Sequence, residues 1–205
     1  MNKNSACRKC RRAGQKLFLK GEKCLTPKCP FILRSYIPGQ HGPKMNIRLT
    51  EYGRQLREKQ KAQQIYGVSA KQLKNYFEKA NKKTGATNEI LMQVLEMRLD
   101  NIVYRLGFAD SRREARNLIK DGHIKVNDRK TTVPGYLIKK DQKVCLKDKS
   151  KSINEKIKEK ISKIKIPKWL VIDKKTIEGK IVKIPSRDEI NTEFDESLII
   201  EFYSR

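Results

Sequence analysis

The sequence predicts an α+β fold: a mainly helical unit, then a small α/β module, behind a basic N-terminal extension stapled by metal. Three observations carry this. Apolar residues recur at three- and four-residue spacing between Leu49 and Leu106. Short alternating runs replace them between Ile124 and Leu146. The first 45 residues hold four cysteines, many cations and frequent Gly and Pro, without apolar periodicity.

In that extension Lys3, Arg8, Lys9, Arg11, Arg12, Lys16, Lys20, Lys23, Lys28, Arg34 and Lys44 face one acid, Glu22. Pro27, Pro30, Pro38, Pro43, Gly14, Gly21, Gly39 and Gly42 favour loops held by metal over long helices. Cys7 and Cys10 are a Cys-x-x-Cys pair; after thirteen intervening residues Cys24 and Cys29 form a second close pair. Two such pairs across a loop can bring four thiolates together tetrahedrally, as in closed structural zinc sites. The adjacent Arg and Lys are expected to lower the thiol pKa values. Unrelated thiols or a redox Cys-x-x-Cys are the competing readings, but a redox site needs one pair and a packed strand. One Zn²⁺ per chain is expected; all-sulfur ligation also suits a [4Fe-4S] cluster. The first residues lack the apolar stretch of a secretory leader, so a soluble intracellular protein is expected, where disulfides are disfavoured. Cys145, alone between Val144 and Leu146, reads as a small buried hydrophobe.

Further along, Leu49, Tyr52 and Leu56 predict a one-sided helix. Ser69 and Gln72 form a capping box ahead of Leu73, Tyr76, Phe77 and Ala80. Leu91, Val94, Leu95, Leu99, Ile102, Val103 and Leu106 predict a third helix, stopped by Gly107. A second capping box, Ser111 with Glu114, heads a helix through Ala115, Leu118 and Ile119 that stops near Gly122. Strands are predicted at Ile124–Val126, Val133, Leu137-Ile138 and Val144–Leu146, with Asn127-Asp128 as a turn. Ile153, Ile157, Ile161 and Ile164 share one helical face, favouring a basic amphipathic helix over a disordered tract across residues 147–168. Pro167 stops it, and Trp169–Ile172 and Leu198–Phe202 read as strands.

The chain has 205 residues with 48 Lys+Arg against 23 Asp+Glu, a net charge of +25. Such a surplus repels itself unless a polyanion neutralises it; nucleic acid, anionic membrane and acidic protein are the candidates. No apolar run nears the ~18 residues of a membrane span. In Ser111-Arg112-Arg113-Glu114-Ala115-Arg116, a capped first turn carries cations that cost an isolated helix ~0.3–1 kcal/mol each. A phosphate at that helix end reverses the sign, so nucleic acid is favoured over a merely solvated face. The loop Ile37-Pro38-Gly39-Gln40-His41-Gly42 is either a connector or a place where backbone approaches a ligand. His41 and His123 lack partners for a catalytic or metal role. No phosphate loop, nucleophile elbow or paired carboxylate site is present, so no enzyme is expected.

These residues form a recognisable set. Tyr36 to Gly42, Leu49-Thr50-Glu51-Tyr52-Gly53, Leu56-Arg57-Glu58-Lys59-Gln60-Lys61 and Ile65-Tyr66-Gly67-Val68 resemble the universal small-subunit ribosomal protein four family in its bacterial or organellar form. So do Arg98 to Phe108, Ser111 to Arg116, Gly122 to Asn127 and Ile200 to Arg205. The part around residues 98–146 alone resembles only the RNA-binding module named after that family. The four-cysteine form matches some members. Ile37 stands where members often have a second proline, and Asp128 where Gly commonly follows the Asn.

The resemblance implies three parts: residues 1–45 as the metal-binding extension, 46–95 plus about 168–205 as a discontinuous helical domain, and 96–167 as an inserted RNA-binding module with a following basic helix. It implies a structural constituent of the small subunit that binds 16S-type rRNA at a 5′-domain multi-helix junction and nucleates assembly. It also implies contact with universal small-subunit ribosomal protein five, a contribution to translational accuracy, and a place along the mRNA entry path for Lys44 and Arg48. Cys7, Cys10, Cys24 and Cys29 are the expected metal ligands. Residues expected to meet rRNA are Arg8, Lys9, Arg11, Arg12, Arg34, Tyr36, Gly39, Gln40, His41, Gly42, Arg54, Arg57, Lys61, Arg105, Ser111, Arg112, Arg113, Arg116, His123, Lys125 and Asn127. A ribosome-bound chain, cytoplasmic or organellar, with no membrane and no homo-oligomer is expected. An accessory module of an RNA-modifying enzyme and a zinc-dependent DNA-binding regulator are the rival readings.

Overall fold

The structure, a computed structural model, describes residues 5–44, 48–147, 161, 166–173 and 176–205. Among them the helices are α1 (Ser5–Ala13), α2 (Pro30–Leu33), α3 (Glu51–Tyr66), α4 (Ala70–Asn81), α5 (Thr87–Glu96), α6 (Leu99–Arg105), α7 (Arg112–Lys120) and α8 (Glu196–Ser204). The strands are β1 (Ile124–Val126), β2 (Arg129–Lys130), β3 (Lys143–Leu146), β4 (Leu170–Asp173) and β5 (Glu178–Ile181). The chain divides into two compact units, Met1–Asn88 with Thr192–Arg205, and Glu89–Asn191. No helix among the described residues is long and apolar enough to cross a membrane.

In the first unit the basic extension is more ordered than loops held by metal: α1 is a two-and-a-half-turn helix, and a 3₁₀ turn over Gly21–Cys24 follows it. Thr50 caps α3, its Oγ1 accepting from the Gly53 N–H at 3.2 Å. Ser69 caps α4 as its sequence requires, accepting from the Gln72 N–H at 3.2 Å, and Leu73, Tyr76, Phe77 and Ala80 are all buried.

The end of the chain is a helix, not the strand its β-branched and aromatic run suggests. Asp195 caps α8 by accepting from the Ser197 N–H at 2.9 Å, and its own N–H donates to Glu58 Oε2 at 3.1 Å. Phe202 packs on Tyr52 and Tyr203 stacks on Phe77, with ring centroids 5.6 and 5.0 Å apart. Packing against α3 and α4 overrides β propensity here.

In the second unit, α6 and α7 pack on one face of an antiparallel sheet of order β2-β1-β3-β5-β4. The core is built from Leu99, Ile102, Val103 and Leu106 of α6, Ala115 and Ile119 of α7, and Ile124, Val126, Val144, Leu146, Trp169 and Ile181 around the sheet. β5 is not legible in the sequence because Gly179 stands at an inward position with no apolar side chain to mark it. Gly179 lies under Leu106, whose methyls occupy the place a Cβ would take. β4 and β5 extend this sheet through β3, where the sequence reading joined residues 168–205 to the helical domain. The amphipathic helix expected over residues 147–168 lies outside the described residues except for Ile161, which is helical and buried in this core, and for residues 147 and 166–168 at its edges.

The expected third helix is two helices. Arg98 adopts extended backbone (φ −70°, ψ 140°) and forms a β-bridge with Leu137. The Leu99 N–H donates to the Tyr136 carbonyl at 2.8 Å, and the Ile138 N–H to the Met97 carbonyl at 2.9 Å. An incoming segment therefore claims backbone groups that a continuous helix would use. Apart from that bridge, the strands expected at Val133 and Leu137-Ile138 are irregular chain. Gly107 ends α6 with φ 80°, as expected. Asn127 and Asp128 both have positive φ, 46° and 64°, which a two-residue hairpin between twisted strands requires. Asp tolerates that region through local hydrogen bonding, so the absence of Gly at 128 leaves the turn intact.

Candidate nucleic-acid interface

α1 places Cys7 and Cys10 three residues apart on one side, Cys24 closes the 3₁₀ turn, and Cys29 starts α2. Cys10, Cys24 and Cys29 are buried; none of the cysteines is in a disulfide. At Cys10 and Cys24 the lowering that nearby cations suggest, such as that of Lys20 on Cys24, is outweighed. Burial pushes Cys10 and Cys24 up, and the neighbouring thiols add to this by mutual repulsion when ionised. Among the described residues no three Cys, His, Asp or Glu side chains converge as a ready grip for an ion. The chemistry of the donor set nonetheless fits one. Cys7 and Cys29 lie within electrostatic reach of both Cys10 and Cys24, and backbone N–H groups of Leu17 and Lys20 point at the Cys10 and Cys24 sulfurs, the latter at 3.4 Å. Cys145 is half-buried on the outward side of the sheet opposite Lys125, not the core hydrophobe the sequence suggests, because its strand neighbours Val144 and Leu146, paired with Val126 and Ile124, take the inward positions.

Arg11 and Tyr36 come together across the extension. Arg11 Nε donates to the Tyr36 carbonyl at 2.9 Å, and its guanidinium lies 4.7 Å over the Tyr36 ring. The loop that follows closes on itself: Gly42 is buried against Ile37, whose carbonyl oxygen occupies its would-be Cβ position. Gly39, at φ 131° with open space around it, Gln40 and His41 form the exposed tip. Of the two glycines, one serves the loop itself and one faces outward. Arg8, Lys9, Arg12 and Arg34 are exposed. Lys44 ends a 3₁₀ turn and Arg48 is exposed; residues 45–47 between them lie outside the described residues.

On α3, Arg54 is exposed and Arg57 half-buried. Burial and the nearby Arg12 guanidinium both push the Arg57 pKa down, so two cations of the first unit crowd one spot. Lys61 is less available than its sequence suggests, bonding Glu58 at 2.6 Å and Gln15 at 3.2 Å. Lys59, which the sequence did not single out, sits 3.8 Å over the Phe202 ring.

In the second unit Ser111 caps α7, accepting from the Glu114 N–H at 3.2 Å, while Glu114 accepts from the Asp110 N–H at 2.8 Å. The three arginines of this turn differ. Arg113 is exposed. Arg112 is folded back, its guanidinium 4.7 Å over the Tyr104 ring and its Nε donating to Asn101 Oδ1 at 2.7 Å. Arg116 lies 3.8 Å from the buried Asp100 carboxylate. Arg105 is held by both oxygens of Glu96. Glu96, Asn101 and Tyr104 are not among the expected site residues, because helical periodicity and a motif match give a run of residues no individual role.

His123 is half-buried and fixed by backbone bonds to Leu118 and Lys147, a turn residue. Lys125 points outward beside Lys130 on β2. Asn127 Oδ1 accepts from the Lys143 N–H at 2.9 Å, locking the hairpin to β3.

Residues 1–96 match the family described as Ribosomal protein S4/S9 N-terminal domain, and residues 97–144 match the S4 domain. Over 201 residues the chain is 49% identical to a protein of Symbiobacterium thermophilum named small ribosomal subunit protein uS4A, covering 97% of this chain and 96% of the relative. It is 50% identical over 201 residues to small ribosomal subunit protein uS4 of Caldicellulosiruptor bescii, with the same coverage. Over 205 residues it is 46% identical to uS4 of Koribacter versatilis, covering 99% of this chain and 98% of the relative.

Proposed function

This chain belongs to the small ribosomal subunit protein uS4 family, and from that premise we propose that it is a structural constituent of the small ribosomal subunit that binds 16S-type rRNA directly. It acts by binding, not by catalysis. The observation that carries the reading is full-length similarity at 46–50% identity to proteins bearing that name. The cation surplus of the sequence supplies the means. Neutralising phosphate releases counterions, and a junction of A-form helices offers phosphates and 2′-hydroxyls rather than readable base edges. Shape and charge therefore select the site, through the exposed Arg8, Lys9, Arg12, Arg54 and Arg113 and the outward Lys125.

The finer reading is a 5′-domain junction bound early in assembly, with protein five as neighbour, a share in accuracy, and Lys44 and Arg48 beside mRNA. A ribosome-bound location in the cytoplasm goes with this role. The four cysteines would hold one zinc ion, whose chemistry is structural: it cross-links α1 to the turn and α2, so that Arg8 and Arg11 are presented from a fixed arm. The test is co-sedimentation with small subunits in low salt, together with filter binding to transcribed 16S-type rRNA over a salt series. Sedimentation with subunits and a steep salt slope are expected. Absence from the subunit fraction and salt-independent binding would overturn the proposal.

A further inference from the structure

The α7 arginine that folds back over Tyr104 is held by a chain of buried groups. Glu96 and Asn101 are each 1% exposed. Arg105 donates from Nε and Nη2 to Glu96 Oε2 and Oε1 at 3.2 and 3.0 Å, which fixes the carboxylate. Asn101 Nδ2 then donates to that carboxylate at 2.8 Å and to the Glu96 carbonyl at 2.9 Å. An amide whose nitrogen is committed to two acceptors has its oxygen turned the other way, and there it accepts from Arg112 Nε at 2.7 Å. Tyr104 supports one face of the same guanidinium.

We propose that Asn101, oriented by Glu96, is a positioning residue that sets the Arg112 guanidinium for a phosphate of the RNA, without meeting the RNA itself. This rests on the rRNA-binding reading above. A cation on a flexible stem loses rotamer freedom when it engages phosphate; one already bonded at Nε and stacked on a ring has lost it beforehand. Arg113, exposed in the same turn, shows no such mooring among the described residues and serves as the control.

The experiment is a double-mutant cycle on the full chain, binding transcribed 16S-type rRNA well below the melting temperature of every variant. Arg112→Ala and Asn101→Ala are each expected to weaken binding about tenfold, the loss of one charge-assisted contact. The double variant should bind no more weakly than either single one, whereas Arg113→Ala should add its full effect to Asn101→Ala. If Arg112→Ala costs as much in the Asn101→Ala background as in the parent, the proposal is overturned. Should Asn101→Ala not fold, Arg112→Lys decides. It keeps the charge but lacks the Nε–H that Asn101 accepts, so it should lose nearly as much as Arg112→Ala; binding equal to the parent overturns the proposal. If the parent chain itself binds no rRNA, the functional reading fails as well, an outcome separate from an additive cycle.

Discussion

Arg98 lies wholly inside the second unit with its guanidinium laid against Asp100, Nε to Oδ1 at 3.0 Å and Nη2 to Oδ2 at 2.6 Å. The pair sits where the helical run from Leu91 to Leu106 breaks into α5 and α6. Removing one partner of such a pair strands a buried charge. Arg98→Met should cost about 3–5 kcal/mol, and replacing both partners by apolar residues should restore most of it. Denaturant unfolding followed by the fluorescence of Trp169, the single tryptophan and a core residue of this unit, measures it. A loss near zero for the single variant would refute the pair's structural role.

The glycines of the loop over residues 36–42 should respond differently to alanine. Gly42→Ala drives a Cβ into the Ile37 carbonyl, so the loop must open and the Arg11–Tyr36 contact shift. Gly39→Ala meets open space and carries only backbone strain of about 1–3 kcal/mol. Limited proteolysis should cut the Gly42→Ala chain faster than the Gly39→Ala chain; equal rates would count against the packing described.

Salt dependence separates phosphate contacts from structural arginines. Arg113→Ala and Arg12→Ala remove exposed cations and should each lower the log–log salt slope of rRNA binding by about one. Lys61→Ala should change stability more than the slope, since its ammonium is already bonded to Glu58 and Gln15.

Metal content is checked by elemental analysis of anaerobically prepared protein, with one zinc per chain expected and iron the alternative. Chelation should speed hydrogen exchange in α1 and α2 and leave the second-unit core protected. Protein without metal whose arm exchanges no faster after chelation would remove the zinc proposal.

Glu189 supplies a pH dependence. Its carboxylate bonds the Lys183 ammonium at 2.6 Å and the Ser186 N–H at 3.3 Å, and these bonds hold its pKa below the ordinary 4.5. A depressed folded pKa contributes stability that is present above the unfolded value and is lost as pH falls through the folded one. The Ser186 capping box should therefore loosen only below about pH 4.5, in a titration that Glu189→Gln abolishes. NMR shifts of the Ser186 amide report it; no acid-side change in the parent would contradict the bond.

Much of this protein was legible as sequence because local rules act locally. Thr50 was not singled out as a cap, but Ser69 and Ser111 were, and both cap their helices because a hydroxyl one residue before an apolar stripe has free N–H groups within reach. The stripe from Leu73 to Ala80 is buried as written, and the hairpin turns at Asn127-Asp128. Charge and the motif set pointed to RNA before any fold was known.

Tertiary structure decided what depends on distant partners. The break at Arg98 needs Leu137 and Tyr136, remote in sequence, to take backbone hydrogen bonds from a helix that periodicity alone would continue. The end of the chain is helical because Tyr52 and Phe77 receive its aromatics, against the preference of its own residues. The arginines divide for the same reason. Arg112, Arg113 and Arg116 are equivalent cations in a string of letters, and only the placement of Asn101, Tyr104 and Asp100 makes one exposed and two moored. Composition and local pattern determined that this chain is basic, that capped amphipathic helices follow its extension, and that it is made for RNA. Which cations are set in place to act was determined by long-range packing, since burial and hydrogen-bond competition arise only when remote segments meet.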